Sequence, residues 1–532
     1  MKLNPFAWGR SAPAAEVVRQ EPTLQKIVRL GTVSTGGIRQ FNAGTVDLLT
    51  ADAPGFLRSG NAELRPALRV MRGRSRALAE NNDYMREFLR ILEKKVLGAF
   101  GIRLAVKAKK PDGTLDKADS DYLRASFNEW AGMGDFVDSQ VCTVCGRYTF
   151  GDVQRLVLST MARDGEILVR LVRGFPNKWG FALQLIECDQ LDENLNVAFG
   201  AGYGGVNKRP DTEIRMGVER DRWGRVVAYH ILTRNPVDDL GVWAGTTRYE
   251  RILAADMLHI FIPDRLDDAR GAPWAWTAIR RLLMTGGYEE AELVAARLGA
   301  SKGGFFTRDA DATGDIEGDA EDGEGNLIQD HTPGSFEELP AGVKFEAYDP
   351  QHPNSNFAAF LKAILRGASA GLGVSYNSLA KDGEGINFST MRQFELDDRE
   401  TWKLVQAFLI RKLCAPVYSA WLDMGLLTGA LNLPPSKRDK FDADIWRPRG
   451  WGWVDPQKDI TADAQANNLG VKSLTQICDE RGVDLEDVLL EIAAERALAE
   501  SLGVKLGTGD PKLSPPSDAE DPADPQQQGN QQ

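Results

Sequence analysis

Cys142-x-x-Cys145 is the first spacing in this chain that could hold a metal. Zinc, though, asks for four nitrogen or sulfur ligands in a tetrahedron. The next cysteine is Cys188, alone, and His230, His259, His331 and His352 all lie far away in sequence. The pair therefore reads as two small residues in a loop or helix start. Gly200-x-Gly202-x-x-Gly205 has the spacing of a dinucleotide loop. That chemistry needs a strand before it and a helix N-terminus after it, so that backbone N–H groups meet the pyrophosphate. VNKRPDTE follows instead, and the stretch reads as a flexible loop. Asp309, Asp311, Gly314, Asp315 and Glu317 resemble a calcium loop with its glycine in place. The position that needs a bidentate glutamate is Ala320. A solvated acidic loop is the plain reading, with weak divalent binding as the alternative. GxxxxGK[ST] and HExxH are both missing. Nothing here demands an enzyme, and no cofactor or metal is expected. A metal-dependent nuclease or hydrolase built on carboxylate clusters stays open as a rival.

The elements that would position these residues give an α+β pattern. Residues 1–35 have little periodicity and read as a loosely ordered arm. Residues 61–98 read as helix, with Leu64, Leu68 and Met71 on one side and Arg65, Arg69, Arg72 and Arg76 on a basic face beside it. That basic face reads first as solvated or intersubunit, and as a DNA reader second. Gly98 and Gly101 end the helix, and Ile102–Val106 is a strand. Helices follow at 120–131 and 151–162. Strands are expected at Ile167–Val172, Ala182–Ile186, Ile214–Val218, Val226–Ile231 and Met257–Phe261, in a mostly antiparallel sheet with a hairpin turn in DRWGRV. Trp276 to Leu298 reads as a helix of about 33 Å. Residues 307–340 are rich in Gly, Asp and Glu. A helix at 354–372 carries the stripe Phe357, Phe360, Leu361, Ile364, Leu365, Ala368 and Leu372, with Lys362 and Arg366 opposite. After the Gly-rich KDGEGIN comes a long helix near 390–423, kinked at Pro416. Two or three short helices fill 458–503, and the Pro- and Gln-rich tail from Thr508 reads as disordered.

Bulk properties bound the function. The 532 residues are 42% hydrophobic and 26% charged, enough for about two to four core-forming units. No apolar run reaches the roughly 18 residues of a membrane span, and the first residues lack a secretory apolar block. Five scattered cysteines fit a reducing compartment. Net charge is −12, which argues against ordinary gripping of DNA phosphates. It is compatible with a surface that lets DNA slide past.

Ordered motifs carry the reading further. LRPALRVMRGRSRALAENNDYMREFL leads into VLGAFGIRL. His259-Ile-Phe, Arg265 and Arg270-Gly271-Ala-Pro-Trp274 precede Tyr288-Glu-Glu-Ala-Glu and Ala295-Ala-Arg297. Then come Phe360-Leu-Lys-Ala-Ile-Leu-Arg366-Gly-Ala-Ser-Ala-Gly371-Leu-Gly373-Val-Ser-Tyr376, Asn387-Phe-Ser389-Thr-Met-Arg392, Trp451-Gly-Trp453-Val-Asp455-Pro456-x-Lys458 and Gly482-Val-Asp484. In order and spacing these resemble the lambda-type phage portal family over about 36–505. Glu80, where the family more often has arginine, and Phe388 and Thr390 are departures, and another capsid structural or scaffold protein stays open as a rival reading.

The resemblance implies an α+β portal fold assembled as a ring, a dodecamer. On it, 1–35 is an arm, 36–275 a wing, 276–300 and 353–373 paired stem helices and 301–352 a clip between them. Residues 374–425 hold a tunnel loop and kinked channel helix, 426–507 a crown and 508–532 a disordered tail. It implies a head–tail connector for packaging and ejection of double-stranded DNA, placed at a capsid vertex of the virion and assembled in the bacterial host cytoplasm, away from membranes. Implied partners are the terminase large subunit, major capsid or scaffold protein, and head-completion or tail connector proteins. Trp274, Trp276, Trp451 and Trp453 are expected to be packing anchors. Candidate DNA-channel residues are Lys362, Arg366 and Lys381, with intersubunit ion pairs as the competing role for the first two. Candidate terminase-docking residues are Asp309, Asp311, Asp315, Glu317, Asp319, Glu321, Asp322 and Glu324.

Overall fold

Short-range signals in the chain punctuate its elements. Ser59 and Asn82 cap successive helices, α1 (Gly60–Asn81) and α2 (Asp83–Leu92), so the helical stretch breaks at Asn82 instead of running through. A π-turn at Glu93–Leu97 carries α2 to Gly98 and Gly101, both at positive φ, before strand β1 (Arg103–Val106). Asp116 starts α3 (Lys117–Ala131), which stops on left-handed Gly132. A reciprocal Thr149–Asp152 capping box starts α4 (Phe150–Asp164). This computed structural model describes residues 57–136, 140–200, 211–237, 248–300, 304–308, 320–321, 327–328, 343–347, 356–385, 387–452 and 456–503. The chain divides into units 1–58 and 59–532, and the second is the one described below. The expected arm, the tail from Thr508, and Gly202 and Gly205 lie outside the described residues.

The strands form antiparallel sheets, as the hairpin spacing predicts. β2 (Glu166–Arg173), β3 (Phe181–Ile186) and β8 (Met257–Phe261) make one sheet in the order β3-β2-β8. β4 (Thr212–Arg215), β5 (Val218–Asp221), β6 (Val226–Leu232) and β7 (Tyr249–Leu253) make a second, in sequence order. The expected single strand Ile214–Val218 is in fact a hairpin. Met216 and Gly217 both have positive φ, 49° and 84°, which turns the chain where alternation alone predicts continuity. β7 carried no clear alternation and was not expected.

α5 (Ile279–Ala300) begins three residues after Trp276, because Pro273 and a run of tight turns occupy 274–278. Next come β9 (Gly304–Arg308), the pair β10 (Ala320–Glu321) and β11 (Leu327–Ile328), and β12 (Val343–Ala347), which pairs antiparallel with β9. The acidic insertion thus leaves and returns on paired strands. α6 (Phe357–Leu372) and α7 (Tyr376–Ala380) precede α8 (Phe388–Leu409). The expected long helix near 390–423 divides into α8 and α9 (Ala415–Thr428) across a π-turn at Ile410–Cys414. Pro416 has no N–H to donate to the previous turn, and the wider turn sits just before it. α10 (Arg438–Phe441), β13 (Asp444–Arg447), α11 (Pro456–Asn468), α12 (Leu474–Glu480) and α13 (Leu485–Leu502) complete the chain.

The main core joins segments far apart in sequence. β1 pairs with β13, Arg103 opposite Arg447. Phe127 meets Trp421 edge-on at 5.2 Å and Trp446 at 5.7 Å, and Trp130 stacks on Phe181 while its indole N–H donates to the Phe181 carbonyl. Burying rings of this size contributes about 1.5–3 kcal/mol each. α9, β13 and β3 are thereby bound to α3. Among the described residues, no helix is long and apolar enough to cross a membrane.

Candidate functional site

Lys362 and Arg366 stand one turn apart on α6, and both lie over the ring of Tyr376, at 5.7 and 5.6 Å from its centre. Tyr376 opens α7, whose start is tied down by Asp398 of α8. Asp398 accepts from the Ser375 N–H at 3.1 Å and from its hydroxyl at 2.8 Å. Burial raises the Asp398 carboxyl above its ordinary value, against the pull of those hydrogen bonds. α7 ends at Lys381, a non-glycine residue in the left-handed region at φ 55°.

The Lys362 ammonium is 2.7 Å from Asp382 Oδ2, which also accepts from the Tyr376 hydroxyl at 2.9 Å. The Lys362 hydrogen bond and the Glu384 N–H hold Asp382 down, at about 2. Lys381 lies 2.7 Å from Glu87 of α2. The three expected cations therefore gather on one tyrosine and two carboxylates of their own chain. Glu87 and Asp382 were not expected. An acidic residue directly after Lys381 in a Gly-rich loop was the available signal for Asp382.

The stripe on α6 is largely satisfied within the chain. Leu365, Ala368 and Leu372 are buried, and Phe357 and Phe360 pack on Tyr288 of α5 at 5.7 and 5.2 Å. Tyr84 of α2 donates to Glu289 at 3.0 Å and fastens α5 from another side. Of the two helices, α5 carries most of the exposed apolar surface, with Phe360 of α6 half-exposed. Leu283, Met284, Leu293 and Val294 are exposed, while Leu282 and Thr285 face the core. Leu283 and Val294 are about three turns apart on one face.

A buried charged knot fixes the root of α5. Glu166, at the start of β2, is fully buried and accepts from Arg270 Nε at 2.7 Å, from Arg72, from the Gly271 N–H at 2.9 Å and from His259 at 2.9 Å. Burial alone would push its carboxyl up. The guanidiniums of Arg270 and Arg72 and the His259 hydrogen bond outweigh it and hold Glu166 well below the usual carboxylate range. Burial lowers His259 below its ordinary value. Arg270 also donates to the carbonyls of Leu191, Met216 and Cys188, joining the two main sheets. A Cβ on Gly271 would lie 2.2 Å from the Gly165 carbonyl oxygen. This is why Arg270 and Gly271 occur together.

The basic face of α1 is not a solvated face throughout. Arg72 is buried against Glu166, and Arg76 pairs with Asp164 at 2.9 Å and Asp189 at 2.6 Å; Arg65 and Arg69 remain exposed. The carboxylates that would reveal this sit a hundred residues away. Trp276 is 52% exposed and is no packing anchor in the single chain, whereas Trp274 and Trp451 pack on the core. Trp453 lies outside the described residues, as do Asp309, Asp311, Asp315, Glu317, Asp319, Asp322 and Glu324; of Glu321 only the backbone is placed, in β10. The Cys142 thiol donates to the Tyr148 carbonyl, and burial pushes it up to about 12. Among the described residues, no three His, Cys, Asp or Glu side chains gather as a metal site.

Comparison with known proteins supplies the frame for this geometry. The profile of the family described as "Phage portal protein, lambda family" matches residues 49–406. The "Probable portal protein" of Halomonas phage phiHAP-1 is 35% identical over 496 residues, 93% of this chain and 90% of that one. "Portal protein B" of Escherichia phage lambda is 22% identical over 177 residues, 31% of this chain and 33% of that one. A chain in the "Neck of empty GTA particle computed with C6 symmetry" has a TM-score of 0.41 and 12% identity, covering 82% of this chain and 97% of that one. On the span of the family profile and the 35% identity across nearly its whole length, the chain belongs to the lambda family of phage portal proteins and serves as a head–tail connector.

Proposed function

We propose that the chain is one subunit of a closed ring, a dodecamer, that conducts double-stranded DNA into and out of a capsid without reading its sequence. The observation that carries the ring is the exposed apolar strip of α5, formed by Leu283, Met284, Leu293 and Val294 opposite its core-facing side. An exposed apolar patch of this kind marks an interaction surface, and head-to-tail contacts between identical chains that close make a ring. In this reading 36–275 is the wing, α5 and α6 are the stem, and 301–352 is the clip. Residues 374–425 form the tunnel loop and channel helix, and 426–507 the crown. The paired strands β9 and β12 support a clip that projects and returns between the stem helices.

The ring would occupy a capsid vertex of the virion after assembly in the host cytoplasm. It would meet capsid or scaffold protein, tail connectors, and the terminase through the acidic clip. Net charge −12 per copy would repel DNA from the assembled ring, and screening limits the effect to about 8 Å. Lys362, Arg366 and Lys381, repeated around the ring, would be sparse attractive points that let a charged rod move without sticking. Single alanine substitutions of these three in the phage test the channel role. Intact rings with less DNA per head support it; intact rings with full heads refute it, and broken rings assign these residues to assembly.

A further inference from the structure

We propose that Asp382 is a built-in competitor for DNA phosphate: it latches the loop Lys381–Gly385 onto α6, and a phosphate that takes Lys362 releases the loop. This rests on the reading of Lys362, Arg366 and Lys381 as phosphate contacts, and adds what those cations do when no DNA is present.

The loop has few other anchors. Gly383, Glu384 and Gly385 are exposed, and the space a Cβ would fill at either glycine is empty within 4 Å. Its position is set at its start, where the Asp382 carboxylate takes the Lys362 ammonium at 2.7 Å and the Tyr376 hydroxyl at 2.9 Å, and Lys381 takes Glu87 at 2.7 Å. Asp382 Oδ1 caps the turn through the Glu384 N–H at 2.9 Å. Lys381 is held in the left-handed region, which a side chain with a Cβ disfavours, so the segment relaxes once its contacts are lost.

A phosphodiester offers an ammonium the same kind of ligand as a carboxylate, one negative charge spread over two oxygens. The Lys362 and Asp382 side chains are 32% and 22% exposed, so their pair is screened and weak. Exchange of one such contact for another is nearly balanced, which is what a transient contact with a moving duplex requires. Arg366, stacked on Tyr376 beside Lys362, keeps a second cation at the same place during the exchange.

The test is amide hydrogen exchange in peptides covering 381–387, on assembled rings, with and without a short duplex DNA. Asp382→Asn keeps the shape and removes the charge. It should speed exchange about two- to fivefold without DNA, the factor expected for a partly exposed ion pair. Duplex should produce a similar rise in the wild type and a smaller one in Asp382→Asn, where only the Lys381–Glu87 pair is left to displace. Exchange in Asp382→Asn equal to wild type overturns the latch. Unchanged wild-type exchange while the rings retain duplex overturns the competition. Equal duplex retention by rings carrying Lys362→Ala, Arg366→Ala and Lys381→Ala together removes the phosphate contact, and the competition with it. The latch alone is then judged by Asp382→Asn without DNA.

Discussion

Glu166→Gln changes one atom in the knot that holds the root of α5, and its cost follows from the donors around it. Glu166 Oε1 faces two guanidiniums, Arg270 and Arg72, while Oε2 faces the Gly271 N–H and His259. The glutamine amide nitrogen does least harm at the Oε2 position, where a change of tautomer lets His259 accept. The Gly271 N–H then loses its acceptor, at about 1–3 kcal/mol. Two buried guanidiniums also lose their counter-charge, and breaking a buried pair costs about 3–5 kcal/mol. The two effects overlap, so about 3–5 kcal/mol is expected in all. Hydrogen exchange of the β2 and β8 amides in assembled protein reads this as roughly 150- to 4,000-fold faster opening. Asp211→Asn, which breaks the exposed Arg222–Asp211 pair, is the control and should cost under about 1 kcal/mol. A Glu166→Gln effect no larger than that control would refute the view that this knot secures the stem root.

The same knot sets a pH dependence. His259 sits below its ordinary 6.5 and Glu166 well below its ordinary 4.5 in the fold, so the unfolded chain binds more protons at both. Stability should fall as pH drops from about 6.5, through His259, and again below 4.5, through Glu166. Thermal unfolding from pH 8 to pH 3 checks this, and His259→Gln should flatten the upper limb; a flat wild-type profile contradicts it. Leu283→Lys and Val294→Lys place charges on the exposed α5 face, so each should leave helical circular dichroism unchanged and abolish large oligomers in light scattering. Deleting 310–330 should leave rings intact and weaken terminase binding; normal affinity would remove the acidic part of the insertion from docking.

Much of this architecture is legible in the sequence because its signals are local. The Thr149–Asp152 box, the alternation in β2 and β8 and the stripe on α6 are each read within one element. The Met216–Gly217 turn was hidden because its residues look like a continuing strand. The knot was hidden for a different reason. Arg72, Glu166, His259 and Arg270 come from four segments, and a helix with arginines at this spacing looks the same whether its partner is water or a buried glutamate. Likewise the positions of Lys362, Arg366 and Lys381 were visible, but their partners Asp382 and Glu87 depend on how α2, α6 and α7 pack. The apolar stripe on α6 was visible too, but the meeting of Phe357 and Phe360 with Tyr288 depends on how α5 and α6 pack.

Electron microscopy of the purified full-length protein, with mass measured in solution on the same sample, bears most directly on assembly. A closed ring with an axial hole is the expected result. A monodisperse monomer near 58.5 kDa across a broad range of concentration and salt would contradict it.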